Sequence, residues 1–315
     1  MKIGKIGIYD VDNTNMPNLA LMKISAWHKK QGDEVEIYSP LFLDDYGKIY
    51  ASKVFDFSDG SGLIPEKMII GGTGYDMQKK LPQEIECIQP DYSIFNYPHS
   101  IGFTMRGCRL KCKFCVVPKK EGKPVSNNTI DEIWTQRDSN FIVLLDNDFF
   151  GNPEWSLRID EIVKYKLKVN FSQGLNIRNL KPEQAEAIAS VKFSNMHNTK
   201  KQVHFAWDDP RHEKLIHRGI ARCIDAGLKP WQMAFYILIG YHSTEAEDLH
   251  RVNILREYGC DPYAMPFDKK DSYQNRFTRW VNHKAIFKTV PWHEYKNGVK
   301  KLTVSQNQQV LDFAH

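Results

Sequence analysis

Cys108-Arg109-Leu110-Lys111-Cys112-Lys113-Phe114-Cys115 puts three thiols into eight residues. Thiolate is the usual protein ligand of iron–sulfur clusters. Spaced by three and then two residues on one loop, these thiols can converge on a single cluster. A cubane has four irons, so three cysteines leave one iron open to a substrate or cofactor. Arg106, Arg109, Lys111 and Lys113 surround the thiols and can balance the thiolate charge. The competing chemistry is a structural zinc site, which takes four ligands. His99 is the near candidate for the fourth, and it precedes the strand that leads into the loop. Cys87, Cys223 and Cys260 stand singly. They suit neither a second cluster nor a secreted disulfide framework.

Regular alternation of strands and helices must position this loop. Apolar strand patterns fall at Ile101–Met105, Phe141–Leu145, Lys168–Phe171, Val203–Trp207, Ala234–Ile239 and Pro262–Met265. Between them run helical patterns. Thr129-Ile130-Asp131-Glu132 makes a capping box before the first of these. Trp155–Lys166, Pro182–Ser190, Arg211–Ala226 and Glu245–Tyr258 are the others. Strict alternation with short loops implies parallel strands and right-handed crossovers. Six such units can curve into a partial barrel, whose chemistry sits where strands end and helices begin. The strand ends carry the Cys108 loop, Asp146-Asn147-Asp148, Ser172-Gln173-Gly174, Trp207-Asp208-Asp209, Gly240-Tyr241-His242 and Pro266-Phe267-Asp268.

Before Pro98 the pattern is that of a smaller βαβ layer of three to five strands. It has strands at Ile3–Tyr9, Val35–Tyr38 and Lys67–Ile70. Its first helix is apolar nearly all round, with Pro17 in the first turn, Met16 or Asn15 just outside it, and Gly32 as the stop. The fold class is therefore α/β: an N-terminal Rossmann-like α/β domain over 1–98, a partial parallel (β/α)6 barrel over 99–268, and a basic aromatic C-terminal extension over 269–315.

The chain has 315 residues, 42% hydrophobic and 26% charged, which excludes a disordered or collagen-like chain. No apolar run reaches the roughly 20 residues of a membrane helix, and the N-terminus does not read as a signal peptide. A cytoplasmic protein without membrane partners is expected. Thr104–Pro124 holds seven Lys/Arg against one acid, Glu121, and Pro266–Lys301 nine against three. With the rest of the chain net acidic, these segments point to an anionic partner such as a nucleotide, nucleic acid or acidic peptide. The second interleaves Phe267, Tyr273, Phe277, Trp280, Phe287, Trp292 and Tyr295 with its charges. That mixture suits stacking on bases, or a helical lid that packs its rings and leaves its lysines in water.

The motif C-x₃-C-x-F-C directly after a strand, followed by βα alternation, resembles the radical S-adenosylmethionine (SAM) superfamily over Ile101–Phe267. Thr104-Met105-Arg106-Gly107-Cys108 is similar to the loop entry of its methylthiotransferase and cobalamin-domain branches, in which a Rossmann-like domain precedes the barrel. The resemblance implies a 4Fe–4S cluster on Cys108, Cys112 and Cys115, with SAM chelating the open iron. It also implies reductive cleavage of SAM, hydrogen abstraction from a substrate, and a flavodoxin- or ferredoxin-like one-electron reductant. Asp146, Asn147 and Asp148 occupy the position of the motif that holds the methionine amino group. Ser172, Gln173 and Asp208 are candidates for the ribose. Gly240, ending Ile237-Leu238-Ile239-Gly240, and Phe114 are candidates for packing on adenine. Asp10-Val11-Asp12-Asn13-Thr14-Asn15 lacks the histidine that supplies cobalamin's lower axial ligand, so cobalamin is not expected. The alternative function is a metal-bearing nucleic-acid-binding protein without turnover.

Overall fold

The computed structural model describes residues 4–59 and 68–296. Ile3, Lys67 and the end of the C-terminal extension, including Lys300 and Lys301, lie outside the described residues. The chain is mixed α/β with parallel sheets. No helix among the described residues is long and apolar enough to cross a membrane. Two compact units divide it: residues 1–175 with 187–201, and residues 176–186 with 202–315.

The first unit begins with β1 (Lys5–Asp10), α1 (Leu19–Lys30), β2 (Glu34–Ile37), β3 (Lys48–Ser52), β4 (Met68–Gly71) and the single turn α2 (Gln83–Glu86). The four strands are parallel in the order β2-β1-β3-β4. Strand β3 has no counterpart in the sequence reading. Its apolar signal is brief: Ile49 and Ala51 alternate as buried residues behind the exposed Lys48. Helix α1 starts later than the proline rule placed it. Asn18 is the N-cap, its side chain accepting from Leu21 N at 3.3 Å, which leaves Pro17 outside the helix.

The all-round apolar character of α1 has a structural cause. Leu21 and Ile24 pack with Ile6 and Ile8 of the first sheet, while Met22 packs with Tyr92 and with Ile101, Phe141 and Val143 of the next sheet. One helix is thus core to two sheets. The compact unit accordingly runs on past Pro98 to residue 175.

The second sheet of this unit has the order β10-β9-β8-β5 and is parallel throughout. Its members are β5 (Ser100–Gly102), β8 (Phe141–Leu144), β9 (Lys168–Phe171) and β10 (Lys192–Phe193). The strand read over Ile101–Met105 stops at Gly102. Beyond it, β6 (Met105–Arg106) pairs antiparallel with β7 (Val125–Ser126), and α3 (Val117–Lys120) lies in the loop between them. The capping box of Thr129 is formed on α4 (Ile130–Ile133). Helix α5 (Trp155–Lys164) precedes β9, and α6 (Pro182–Ser190) precedes β10.

The second unit holds β11 (Val203–Ala206), α7 (Glu213–Asp225), β12 (Met233–Ile239), α8 (Glu245–Tyr258) and β13 (Asp261–Pro266), followed by α9 (Ser272–Asn282), α10 (Lys284–Thr289) and α11 (Trp292–Lys296). Its strands form a parallel sheet, β11-β12-β13. The helix read after Lys181 is therefore followed by β10, which completes the first unit's sheet, and Val203–Ala206 opens a separate one. In the extension, Phe277, Trp280, Phe287 and Trp292 are buried against one another. Part of its basic charge is used locally: Lys284 pairs with Asp261 and donates to the Pro262 carbonyl.

Candidate iron–sulfur loop

The three thiols sit in the 107–124 loop, which the β6–β7 pair closes at its base. Gly107 turns the chain into the loop at φ +84°, a left-handed conformation that suits glycine. A Cβ there would lie well inside 3.0 Å of the Lys123 carbonyl. That close approach lets Cys108 N donate to the Gly122 carbonyl at 3.2 Å and tie the two arms together.

Three carboxylates brace the loop. Asp146, just past β8, is buried and accepts from Thr104 N at 2.7 Å, Met105 N at 2.8 Å and Thr104 Oγ1 at 3.0 Å. Burial pushes its carboxyl up to about 7, against the pull of those donors. Asp148 accepts from Arg109 through the backbone N–H at 3.2 Å, Nε at 2.7 Å and Nη2 at 2.9 Å. Glu121 accepts from Arg106 Nη2 at 2.7 Å, Gly107 N at 3.0 Å and Asn147 Nδ2 at 3.2 Å. Asn152 adds a bond from Nδ2 to the Thr104 carbonyl at 3.1 Å. The Asp146-Asn147-Asp148 run is thus engaged side chain by side chain with the cysteine loop. The sequence reading missed Glu121 and Asn152 as parts of the site. The signal for Glu121 was its standing as the single acid in a basic segment.

Among the thiols, Cys108, Cys112 and Cys115 are half-buried. Leu110 N donates to Cys108 Sγ at 3.3 Å, and Cys115 N to the Cys112 carbonyl at 3.1 Å. Burial pushes the Cys108 thiol up to about 11. The Leu110 N–H opposes this, and the charges of Asp148, Cys112 and Cys115 add to it. No three His, Cys, Asp or Glu side chains among the described residues are grouped to hold one metal ion. A mononuclear zinc site needs its sulfurs about 2.3 Å from a single centre. A polynuclear cluster takes each thiolate on a different iron, so its ligands stand further apart. Three thiols with no histidine among them are the donor type that iron–sulfur clusters take. His99 is not part of this set: its Nδ1 meets Ser139 Oγ at 2.8 Å, and its ring stands edge-on to Phe141.

The remaining candidates separate into two groups. Phe114, Ser172 and Gln173 belong to the first unit with the cysteines. Ser172 Oγ donates to the Leu144 carbonyl at 2.9 Å, joining β9 to β8, and Gln173 is exposed. Asp208 and Gly240 belong to the second unit, at the ends of β11 and β12. Burial raises the Asp208 carboxyl, while Arg178 and Arg251 hold it down. Gly240 has φ +74° and donates its N–H to Ser243 Oγ and Asp248 Oδ2. Past β1, Asp12 is occupied by the segment after β3, accepting from Val54 N, Phe55 N and Ser58 Oγ. Neither protein-family models nor curated proteins give a match to this chain.

Proposed function

We propose that this chain is a radical SAM enzyme, with Cys108, Cys112 and Cys115 each ligating one iron of a 4Fe–4S cluster. The observation that carries the reading is the loop itself: three neighbouring thiols past the end of a parallel strand, closed by a hairpin and braced by Asp146, Asp148 and Glu121. The chemistry such a cluster supplies when bound is one-electron cleavage of the SAM sulfonium, which opens hydrogen abstraction from a substrate. The protein's part is placement. Asp146 holds the strand-to-loop corner, Arg109 and Asp148 hold the first ligand, and the half-buried loop limits water at the sulfurs.

The same reading makes residues 99–268 a partial parallel (β/α)6 barrel after a Rossmann-like sheet. What supports it is that the pairing is parallel within each of the two sheets, β10-β9-β8-β5 and β11-β12-β13. Cobalamin forms no part of it. The substrate is taken to be anionic, from the basic segments, and the electron to come from a flavodoxin- or ferredoxin-like partner. A non-catalytic nucleic-acid-binding role is less favoured, because the rings that would stack on bases at 277, 280, 287 and 292 are buried.

Anaerobic reconstitution with iron and sulfide tests the proposal. The expected product is a brown protein with about four irons per chain that, once reduced, converts SAM to 5′-deoxyadenosine and methionine. A colourless zinc protein that leaves SAM intact overturns it.

A further inference from the structure

The second unit carries a groove that no role above uses. It is lined by α8, α9, α10, α11 and the turn before α11, so it lies wholly within that unit. It holds about 500 Å³, within the roughly 300–1,000 Å³ of small-molecule sites. Its apolar lining includes Trp280, Phe287 and Trp292, all buried, so their faces are closed to a stacking base. Its charged lining is mostly cationic. Arg256 comes from α8, Lys288 from α10, and His293 and Lys296 from α11. Glu245 is the single acid among these lining residues, and it is engaged: Oε1 accepts from Lys296 Nζ at 2.7 Å and from Trp292 Nε1 at 2.9 Å. Arg256 is held in place without being neutralised. Its Nη2 donates to Asn253 Oδ1 at 2.8 Å, and its guanidinium stands over the Phe287 ring, 5.4 Å from the centroid. Among the described residues neither Arg256 nor Lys288 is paired with a carboxylate.

Cations gathered around a concave surface without matching acids repel one another, and a bound anion relieves that repulsion. These cations come from three helices and line one cavity, so a ligand with several anionic oxygens can meet more than one of them. An arginine that keeps N–H donors of its planar fork unused matches phosphate geometry, and a lysine adds a point charge. With the rings closed, recognition falls on phosphate and not on a base. We infer that this groove binds a compact oligophosphate, free or as the phosphate chain of a nucleotide, with Arg256 and Lys288 making the principal contacts. The assignment goes beyond the proposed function and does not rest on it, since it needs neither the cluster nor SAM.

Isothermal titration calorimetry of the full chain with inorganic tripolyphosphate, and separately with ATP, tests the inference. The expected result is saturable one-to-one binding of tripolyphosphate that weakens as salt is raised. Equal affinity for ATP supports recognition of the phosphate chain alone, and higher affinity for ATP supports a nucleotide as its source. Lys288 is exposed, so Lys288→Gln should leave the melting temperature unchanged while raising Kd about tenfold, the scale of one hydrogen bond to a charged group. Arg256→Gln should raise Kd by at least as much. Arg211→Gln is the control: it removes the same charge from an exposed arginine that does not line the groove, and it should leave Kd unchanged. No saturable binding at millimolar probe overturns the inference. Equal weakening by Arg211→Gln and Lys288→Gln also overturns it, because net charge would then explain the effect. Wild-type affinity in both Lys288→Gln and Arg256→Gln overturns it as well, since the phosphate would then bind elsewhere. A single-stranded oligonucleotide that binds more tightly than tripolyphosphate, and loses affinity in the same two variants, overturns it in favour of a nucleic-acid strand.

Discussion

Asp148 holds Arg109 through both carboxylate oxygens and also accepts the Arg109 backbone N–H, so one buried side chain fixes the residue that follows the first cysteine. The carboxylate is 1% exposed and the guanidinium 39% exposed. The fork geometry matches a planar guanidinium to a carboxylate and sets direction as well as charge. With Asp146 and Glu121 it makes the cysteine loop a braced structure.

Asp148→Ala should release the start of the loop and lower cluster occupancy. The expected iron and sulfide content after reconstitution is less than half of wild type. Arg109→Ala leaves the buried Asp148 carboxylate without its partner and should cost about 3–5 kcal/mol of stability, less whatever water recovers at this partly open site. Denaturant titration reads that cost. Wild-type iron content in Asp148→Ala would show that the brace does not serve the cluster.

Gly107→Ala places a methyl group against the Lys123 carbonyl at a backbone angle that alanine rarely adopts. The hairpin base must open to accommodate it. Far-ultraviolet circular dichroism should stay close to wild type, because the distortion is confined to the loop. Iron binding should fall by more than half, and undiminished iron would contradict this account of the turn.

Replacing any of Cys108, Cys112 or Cys115 with Ala leaves two thiolates in the loop, too few for a stable cubane under the proposed function. Visible absorbance, iron content and SAM cleavage should each drop to background. Cys87→Ala, an exposed thiol remote in sequence from the loop, should retain all three. Full iron content and SAM cleavage in the triple variant would contradict the central proposal.

His204 gives a pH signature. Its ring stacks on Tyr236 with centroids 5.0 Å apart, and its Nδ1 is buried without a partner. Burial pulls its pKa from 6.5 down to about 4, with Asp261 opposing the shift and Lys284 adding to it. Between those values the unfolded chain binds the proton more readily than the folded one, so stability rises with pH across that window. The contribution is complete above pH 6.5 and is lost as pH falls through about 4. It amounts to as much as about 3 kcal/mol. His204→Phe keeps the stack, removes the orphaned nitrogen and should flatten the stability curve between pH 4 and 6.5. An unchanged acid limb in chemical denaturation would show that another group controls it.

The order of residues carries the three-thiol motif and the α/β class of the chain. Thiols four and three positions apart, helical periods and the Thr129 capping box all depend on neighbours within a turn or a loop, so they are legible from local sequence. It also placed Asp146, Asn147 and Asp148 at a strand end. What they contact there is set by the fold. Thr104 and Asp146 stand 42 residues apart, and nothing local to either shows that one caps the other. The same holds for Glu121 against Asn147, for the two-residue β10, and for Arg251, whose two carbonyl partners lie at the ends of different strands. Long-range pairing is set by which surfaces bury together. Helix α1 shows the limit most clearly: its sequence says that it is buried on all sides, and only the fold shows that two different sheets bury it.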